Sequence, residues 1–540
     1  MALNKIIIYQ IFTRLYGNRC QTRKPFGTIE ENGCGKMNDF TPSVLKQIRE
    51  MGVSHVWYTG VIRHATMTDY TKYGIPRQHP AVVKGRAGSP YAITDYYDVD
   101  PDLAVNVEKR MEEFERLVNR THRAGLKMII DFVPNHVARQ YKSIVKPNGV
   151  KDLGEGDNSD HGFDPQNNFY YCPGQTFTPY FDLYHGEKEP YQESPAKATG
   201  NDCFHNAPGM NDWYETVKLN YGVDYYAGRV GYFNPLPSTW TKMLDILLFW
   251  ASKGVDGFRC DMAEMVPAEF WKWATAKVKD YFPGILFIGE VYNPAEYRRY
   301  VASGFDYLYD KVGMYDVMFG VLCHQRDTSA ITWAWQQNDD IHQHMLYFLE
   351  NHDELRLASS FFVGEASKAL PALVVNVLMQ QNPFMLYAGQ EWGETGMDAE
   401  GYSGLDGRTT IFDYWSMSQQ RENAISHYYT KVLQIARAEK AVVEGNFFDL
   451  MYVNEKYKRQ YAFLRKHKNE MLLVAANFDD FPVTMEVRIP AYAFEFLKLP
   501  LGSFQAFDLL NGDTMVVNLQ PDDNVKLQLA PRGSVVIKVK

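Results

Sequence analysis

Short apolar runs alternate with amphipathic segments from residue 5 to about residue 440, and this alternation predicts most of the elements. Residues 5–12 read as a strand. Thr41-Pro42 then opens a helix that Gly52 closes, and 53–58 read as a second strand. Residues 106–124 are amphipathic and stop at Gly125, before a third strand over 126–132. Beyond His136 the rhythm stops, and 137–237 are rich in Gly, Asn, Asp and Pro. A structureless loop of that length does not suit a compact domain, so this stretch is read as an inserted subdomain. Its aromatics (Tyr170, Tyr171, Tyr180, Phe181, Trp213, Tyr214) either pack a small core or face a ligand.

The alternation resumes with a helix over 240–252, a strand over 255–261, a helix over 268–281 and a strand over 285–290. A weaker strand at 306–309 and a stronger one at 345–349 follow, then a helix over 365–379, a strand over 384–387 and a long helix over 420–439. Apolar strands without a polar face, joined by helices, indicate a parallel α/β fold, and eight of them suffice to close a barrel. From residue 441 the period drops to two, in runs over 460–464, 471–477, 483–489 and 534–539. Asn511-Gly512-Asp513 and Asp522-Asp523-Asn524 supply turn residues between such runs, which predicts an antiparallel β-sandwich.

Composition narrows the partners. A net charge of −9 lacks the concentrated basic surface that nucleic acid requires. No stretch is long and apolar enough to span a membrane, and the first apolar run lacks the cleavage pattern of a signal peptide. The six cysteines are scattered without CxxC or zinc-like spacing, so reduced thiols and a cytoplasmic location are expected. Aromatic residues make up 14% of the chain, flat faces useful against sugar rings or bases although most of them serve packing.

The chemistry gathers at strand ends. The fourth and fifth strands close on Gly257-Phe258-Arg259-Cys260-Asp261 and Ile288-Gly289-Glu290. The third runs into Asp131-Phe132-Val133-Pro134-Asn135-His136, and the seventh into Asn351-His352-Asp353. A carboxylate at the C-terminal tip of a parallel strand sits where α/β barrels place catalytic groups. Asp is also a common helix cap at such junctions, and one tip alone leaves both readings open. Recurrence at successive tips favours a site.

These four motifs, in this order, resemble those of the α-amylase superfamily of glycoside hydrolases (family 13), and the likeness covers nearly the whole chain. The resemblance implies an α/β fold, a (β/α)8 TIM barrel with an inserted subdomain after strand 3 and a C-terminal antiparallel β-sandwich. Residues 1–136 and 238–440 would form the barrel, 137–237 the insert and 441–540 the sandwich. It further implies Asp261 as nucleophile, Glu290 as general acid/base and Asp353 as the carboxylate that stabilises the transition state. Arg259, Asp131, His136 and His352 correspond to residues shaping the subsite of the cleaved sugar. Tyr91, in Ser89-Pro90-Tyr91-Ala92-Ile93-Thr94-Asp95, matches an aromatic that stacks on it, or else is structural.

The implied partner is an α-glucan or maltooligosaccharide such as starch or glycogen supplies, cleaved at α-glucosidic, chiefly α-1,4, bonds with retention. A transglycosylase of the same superfamily and a catalytically silent glucan-binding relative are the competing readings. No cofactor is required for the chemistry. A structural calcium is an open expectation, since Asn135 matches a calcium-site position of the family.

The reaction makes matching demands. Retaining cleavage needs an acid for the leaving oxygen and a carboxylate at the opposite face, about 5–5.5 Å apart. Asp261 and Glu290 are separated by one strand–helix unit, which places them on neighbouring strands at the same end. Arg259 precedes Asp261 by two positions, so strand alternation aims both to one face, where the guanidinium favours an ionised nucleophile. Glu290 must start protonated, which apolar surroundings and the adjacent Asp261 would promote. One departure stands out. Many α-amylases carry Lys-His three and four positions after the nucleophile, and this chain has Glu264-Met265. Glu264 reads either as a determinant of the acceptor or as a solvated acid at a helix start.

Overall fold

The structure, a computed structural model, describes residues 5–183, 186, 188–397 and 407–539. Residues 1–4, ahead of the first strand, and 398–406 lie outside the described part. Eight strands close a parallel barrel: β1 (Ile7–Phe12), β2 (His55–Thr59), β3 (Lys127–Phe132), β4 (Gly257–Cys260), β5 (Leu286–Gly289), β6 (Tyr307–Tyr309), β7 (Met345–Phe348) and β8 (Phe384–Tyr387). Each pairs with its sequence neighbours and β8 returns to β1, through Ile7 opposite Phe384. The weak sixth strand is confirmed, shortened to three residues.

Two apolar layers explain why the strands lack a polar face. Inside the barrel Ile8, Trp57, Ile129, Ile288, Tyr309, Leu346 and Met385 pack into one buried cluster. Outside, residues of the opposite parity join the main core with the helices. Helix α1 (Ser238–Ser252) buries Met243, Ile246, Leu247 and Trp250, and α2 (Ala268–Tyr281) buries Phe270, Trp271, Ala274 and Val278, spacings that form one helical stripe. Gly254 turns the chain from α1 into β4 at φ +93°, a conformation that side chains resist. Because the interior floor is apolar, the polar inward positions collect at the C-terminal rim.

The helices start later than their periodicity suggests. Arg110–Arg123 is preceded by a 3-10 turn, Leu370–Leu378 likewise, and Ala424–Ala438 begins only after Asn423 caps it.

In the 137–237 segment, His136–Ala138 pairs antiparallel with Thr216–Lys218, and Tyr171–Cys172 with Ala196–Lys197. Cys172, Phe177, Ala196 and Tyr214 form its small core together with Val82. Of the singled-out aromatics, Tyr170, Tyr171 and Tyr214 are buried, Phe181 packs edge-on against Tyr214, and Tyr180 is 79% exposed. Trp213 alone among them reaches the cleft described below.

The C-terminal part forms a six-stranded antiparallel sheet beside a two-stranded one, Val483–Arg488 with Asn524–Leu529. The sequence pattern marked four of its eight strands. Asn446–Asp449, Gly502–Asp508, Thr514–Leu519 and Asn524–Leu529 were not marked, three of them being largely solvent-facing. Among the described residues no helix is long and apolar enough to cross a membrane.

Candidate active site

Arg259 is the hub of the barrel's C-terminal rim, and only 1% of it is exposed. Its Nη1 donates to Asp261 Oδ1 at 2.8 Å and lies 3.6 Å from Asp131 Oδ1. Its Nη2 makes a 2.7 Å ion pair with Glu290 Oε2, close in distance though off hydrogen-bond alignment. The Nε donates to the Tyr309 hydroxyl at 3.2 Å, and the rings of Trp57, Tyr91 and Tyr309 flank the guanidinium. The parallel register produces this convergence by placing Arg259 beside Asp131 of β3 and Ile288 of β5. One planar fork thus holds the carboxylates of two neighbouring strand tips.

Glu290 does not sit in the apolar surroundings its role suggested. Arg259 is long enough to reach past Asp261, and two further donors meet the same carboxylate. Oε2 accepts from the Met262 amide at 2.8 Å, and Oε1 from the Tyr292 hydroxyl at 2.5 Å. Met262 holds a left-handed backbone at φ +42°, strained for a side-chain-bearing residue, immediately after Asp261.

Four carboxylates, Asp131, Asp261, Glu290 and Asp353, share this rim with one central guanidinium. Burial pushes the Asp261 carboxyl well above its ordinary value; Arg259 opposes this, while Glu290, Asp353 and Asp131 reinforce it. Burial likewise raises Asp131 to about 6 against the pull of Arg259. Crowding of acids in a desolvated space thus raises Asp261 and Asp131 together.

Asp353 stands across the cleft with a third of its side chain open to the cavity. The walls of the cleft raise its carboxyl, with Arg259 and Arg408 pulling the other way. His352 Nε2 lies 3.0 Å from Asp353 Oδ2 and 2.5 Å from the Tyr91 hydroxyl. Its Nδ1 faces the Gln10 amide nitrogen at 2.8 Å. Burial drives His352 well below its ordinary value, so the ring is neutral; with Gln10 donating to Nδ1, the proton sits on Nε2. Burial also lowers His136, to about 3, and its ring lies 5.3 Å from Trp213.

A cavity of about 340 Å³ opens over these groups. Of the sequence-predicted residues, Asp261, Glu290, Asp353, His136 and Tyr91 line it; Asp131, Arg259 and His352 stand behind and hold the lining in place. Asp131 Oδ2 accepts from Trp57 Nε1 at 3.1 Å and from the Gly60 amide at 3.3 Å, which ties it to β2. Tyr292, Arg408 and Phe412 also line the cavity and were not anticipated, whereas Trp213 is one of the insert aromatics read as packing or facing a ligand, and it faces the cavity. Of the unanticipated residues Tyr292 alone carried a signal, since it follows Glu290 by two positions. The others come from distant loops without a motif. A Lys84–Glu215 ion pair of 3.1 Å, with the ammonium over the Tyr214 ring, closes one wall.

Glu264 sits in the first turn of the 3-10 helix Ala263–Met265, as a helix-start acid would, but is half-buried and bonded to backbone rather than fully solvated. Its Oε2 accepts from the backbone amides of Tyr292 at 3.2 Å and Asn293 at 3.0 Å, which binds the loop after β4 to the loop after β5.

The position at which the family resemblance admits calcium is built differently here. Asn135 Oδ1 accepts from Lys218 Nζ at 2.6 Å, and the same ammonium forms a 2.7 Å ion pair with Asp202 Oδ1. Calcium requires six to eight oxygens around a vacant centre. A buried ammonium already stands between these oxygens, and among the described residues no group of three or more His, Cys, Asp or Glu is arranged to hold a metal. The residues present do not fit a divalent cation at this point.

Comparison with known proteins agrees with the geometry. The chain is 23% identical over 491 residues to Alpha-amylase 3 of Dictyoglomus thermophilum, covering 83% of this chain and 82% of that one. It is 21% identical to a cyclomaltodextrin glucanotransferase of a Bacillus species, covering 98% of this chain and 67% of that one. Its fold superposes on the crystal structure of an alpha-amylase from Geobacillus thermoleovorans, solved with acarbose, with a TM-score of 0.67 at 19% identity, over 100% of this chain and 99% of that one. The family description "Alpha amylase, catalytic domain" matches residues 23–428, three-quarters of the sequence and all eight barrel strands but the first. With its carboxylate-tipped strands gathered on one guanidinium, the chain belongs to the alpha-amylase family of glycoside hydrolases.

Proposed function

We propose that the protein cleaves α-glucosidic bonds, chiefly α-1,4 bonds of glucans or maltooligosaccharides, by double displacement with net retention. The observation that carries this reading is the pairing of Asp261 and Glu290 on one guanidinium, with Asp353 across a cavity wide enough for a sugar ring. In the first half-reaction the Asp261 carboxylate attacks the anomeric carbon while Glu290 delivers a proton to the glycosidic oxygen. The carbon–oxygen bond breaks, the leaving chain departs as an alcohol, and a glycosyl ester on Asp261 forms. In the second half, the Glu290 carboxylate takes a proton from a water that attacks the same carbon and frees Asp261. Asp353, fixed by neutral His352, faces the positive charge that develops on the ring in both steps.

Arg259 favours the ionised form of Asp261 as nucleophile. His136 and Tyr91 would fix the sugar from the cavity wall, with Asp131 and Arg259 as their support. Six thiols outside any disulfide support a reducing, cytoplasmic setting.

The test is incubation with maltoheptaose, resolving products by size and reading their anomeric form by proton NMR. Release of shorter α-anomers is expected, and Glu290→Gln and Asp261→Asn each reduce turnover by several orders of magnitude. Initial β-anomers, or full activity of Glu290→Gln, would overturn the assignment. Similarity to a glucanotransferase keeps transfer as a second reading, and products longer than the substrate would select it.

A further inference from the structure

We propose that Tyr292, locked in place by Glu264, is a positioning residue for the acid/base carboxyl: its hydroxyl sits on the one oxygen of Glu290 that is free to exchange a proton with substrate. This rests on the reading of Glu290 given above. Glu290 Oε2 is occupied by the Met262 amide at 2.8 Å and by Arg259 Nη2 at 2.7 Å. Both partners are donors that cannot accept a hydrogen, so a proton on Glu290 resides on Oε1. The Tyr292 hydroxyl donates to that atom at 2.5 Å. Burial and the neighbouring Glu290 push the Tyr292 phenol well above its ordinary value, so it remains a donor across the working pH range.

The proton balance follows. While Glu290 carries its proton on Oε1, that oxygen is a neutral hydroxyl and a much weaker acceptor for the phenol. As the proton passes to the glycosidic oxygen and the carbon–oxygen bond breaks, Oε1 becomes anionic and the phenol donates to it. The hydrogen bond is therefore stronger after proton transfer than before, the condition under which an interaction accelerates a step rather than merely binding its reactant. In the second half the same bond is given up as Oε1 takes a proton from water.

Glu264 supplies the positioning. Its Oε2 accepts from the Tyr292 and Asn293 amides, and the Tyr300 hydroxyl clamps its own carbonyl at 3.0 Å and that of Val266 at 2.8 Å. The loop that follows Asp261 thereby sets the height of the residue that serves Glu290. A Lys at position 264 offers amide hydrogens no acceptor, so the departure noted in the sequence and the phenol's placement are one feature.

The experiment compares Tyr292→Phe, Glu264→Ala, Glu264→Gln and the Tyr292→Phe/Glu264→Ala double variant on two substrates. Maltoheptaose needs protonation of its leaving oxygen, whereas maltosyl fluoride loses a leaving group that does not. Tyr292→Phe is expected to lower kcat on maltoheptaose about 10- to 100-fold, as for loss of a charge-assisted hydrogen bond. Its rate of fluoride release should stay within about threefold of the parent, with KM little changed. Glu264→Gln, which keeps an acceptor oxygen, should behave as the parent. Glu264→Ala should show the same substrate bias as Tyr292→Phe, and the double variant should be no worse than Tyr292→Phe. Equal losses on both substrates, no loss on either, or fully additive effects in the double variant would each overturn the proposal. If the parent protein releases neither sugar nor fluoride, it is the function assigned to the site that fails.

Discussion

Replacing Arg259 by Met separates charge from packing at the centre of the rim. The unbranched thioether fills much of the space between the Trp57, Tyr91 and Tyr309 rings, so the main loss is the counter-charge of Asp261, Glu290 and Asp131. Removing one partner of a buried ionic group costs about 3–5 kcal/mol at neutral pH. In a unit of this size each kcal/mol moves the thermal midpoint by about 1 °C, which gives a fall of ~3–5 °C. The sign of the pH dependence is the sharper test. Asp131 already lies raised to about 6 with Arg259 present, and burial holds Asp261 high as well. Without the guanidinium both rise further above their unfolded values near 4. For such groups the folded state loses nothing below the unfolded value and loses increasingly as pH rises through the folded one. The deficit should therefore be small at pH 4.5 and largest above pH 7. Arg259→Lys, which keeps the charge but loses the fork, should retain most of the stability while losing activity. Scanning calorimetry from pH 4.5 to 8.5 on the three proteins decides the matter. A deficit of equal size at every pH would show that packing, not charge, is what Arg259 contributes.

Two more outcomes follow from the same kind of argument. Asp100 and Glu391 are raised by burial to about 7, and Asp102 and Asp310 to about 6, so their share of stability is present in acid and lost as pH climbs through 6–7. His55 and His64, lowered by burial to about 4, contribute above the unfolded value near 6.5 and fail as pH falls toward 4; the thermal midpoint should peak near pH 6, and a flat plateau to pH 9 would contradict this. A chelator such as EDTA should leave both the midpoint and maltoheptaose turnover unchanged, whereas Lys218→Met, which strands Asn135 and Asp202 without a donor, should lower the midpoint by several degrees. A chelator-dependent fall in the parent would refute the assignment of Lys218 to that place.

The barrel was legible because parallel strands buried on both faces leave uninterrupted apolar runs, and glycines at 52, 125 and 254 mark where helices hand over to strands. The four acidic tips were legible for a related reason, since a charge that ends an apolar run has few structural uses. Contacts across the top of the barrel were not. Tyr292 on Glu290, Glu264 on the amides of Tyr292 and Asn293, and Lys84 on Glu215 join segments whose relative height depends on loop conformation, which no periodicity encodes. The expectation for Glu290 missed for a comparable reason. Strand alternation places Arg259 beside Asp261, but how far a guanidinium reaches past it is a matter of three-dimensional register. The C-terminal strands escaped notice where their outward faces alternate with few apolar residues, as at 502–508.

Lys218 also bears on how the insert stays seated on the barrel. A junction closed by a dissociable ion gains stability as the logarithm of the ion's free concentration over its dissociation constant, so it tightens and slackens with the surrounding medium. An ammonium covalently part of Thr216–Lys218, the strand paired with His136–Ala138, is present at a fixed stoichiometry of one wherever the protein is. At the roof of the cleft, where His136 lies in that pairing and Trp213 packs beside it, this contact does not vary with the supply of divalent ions.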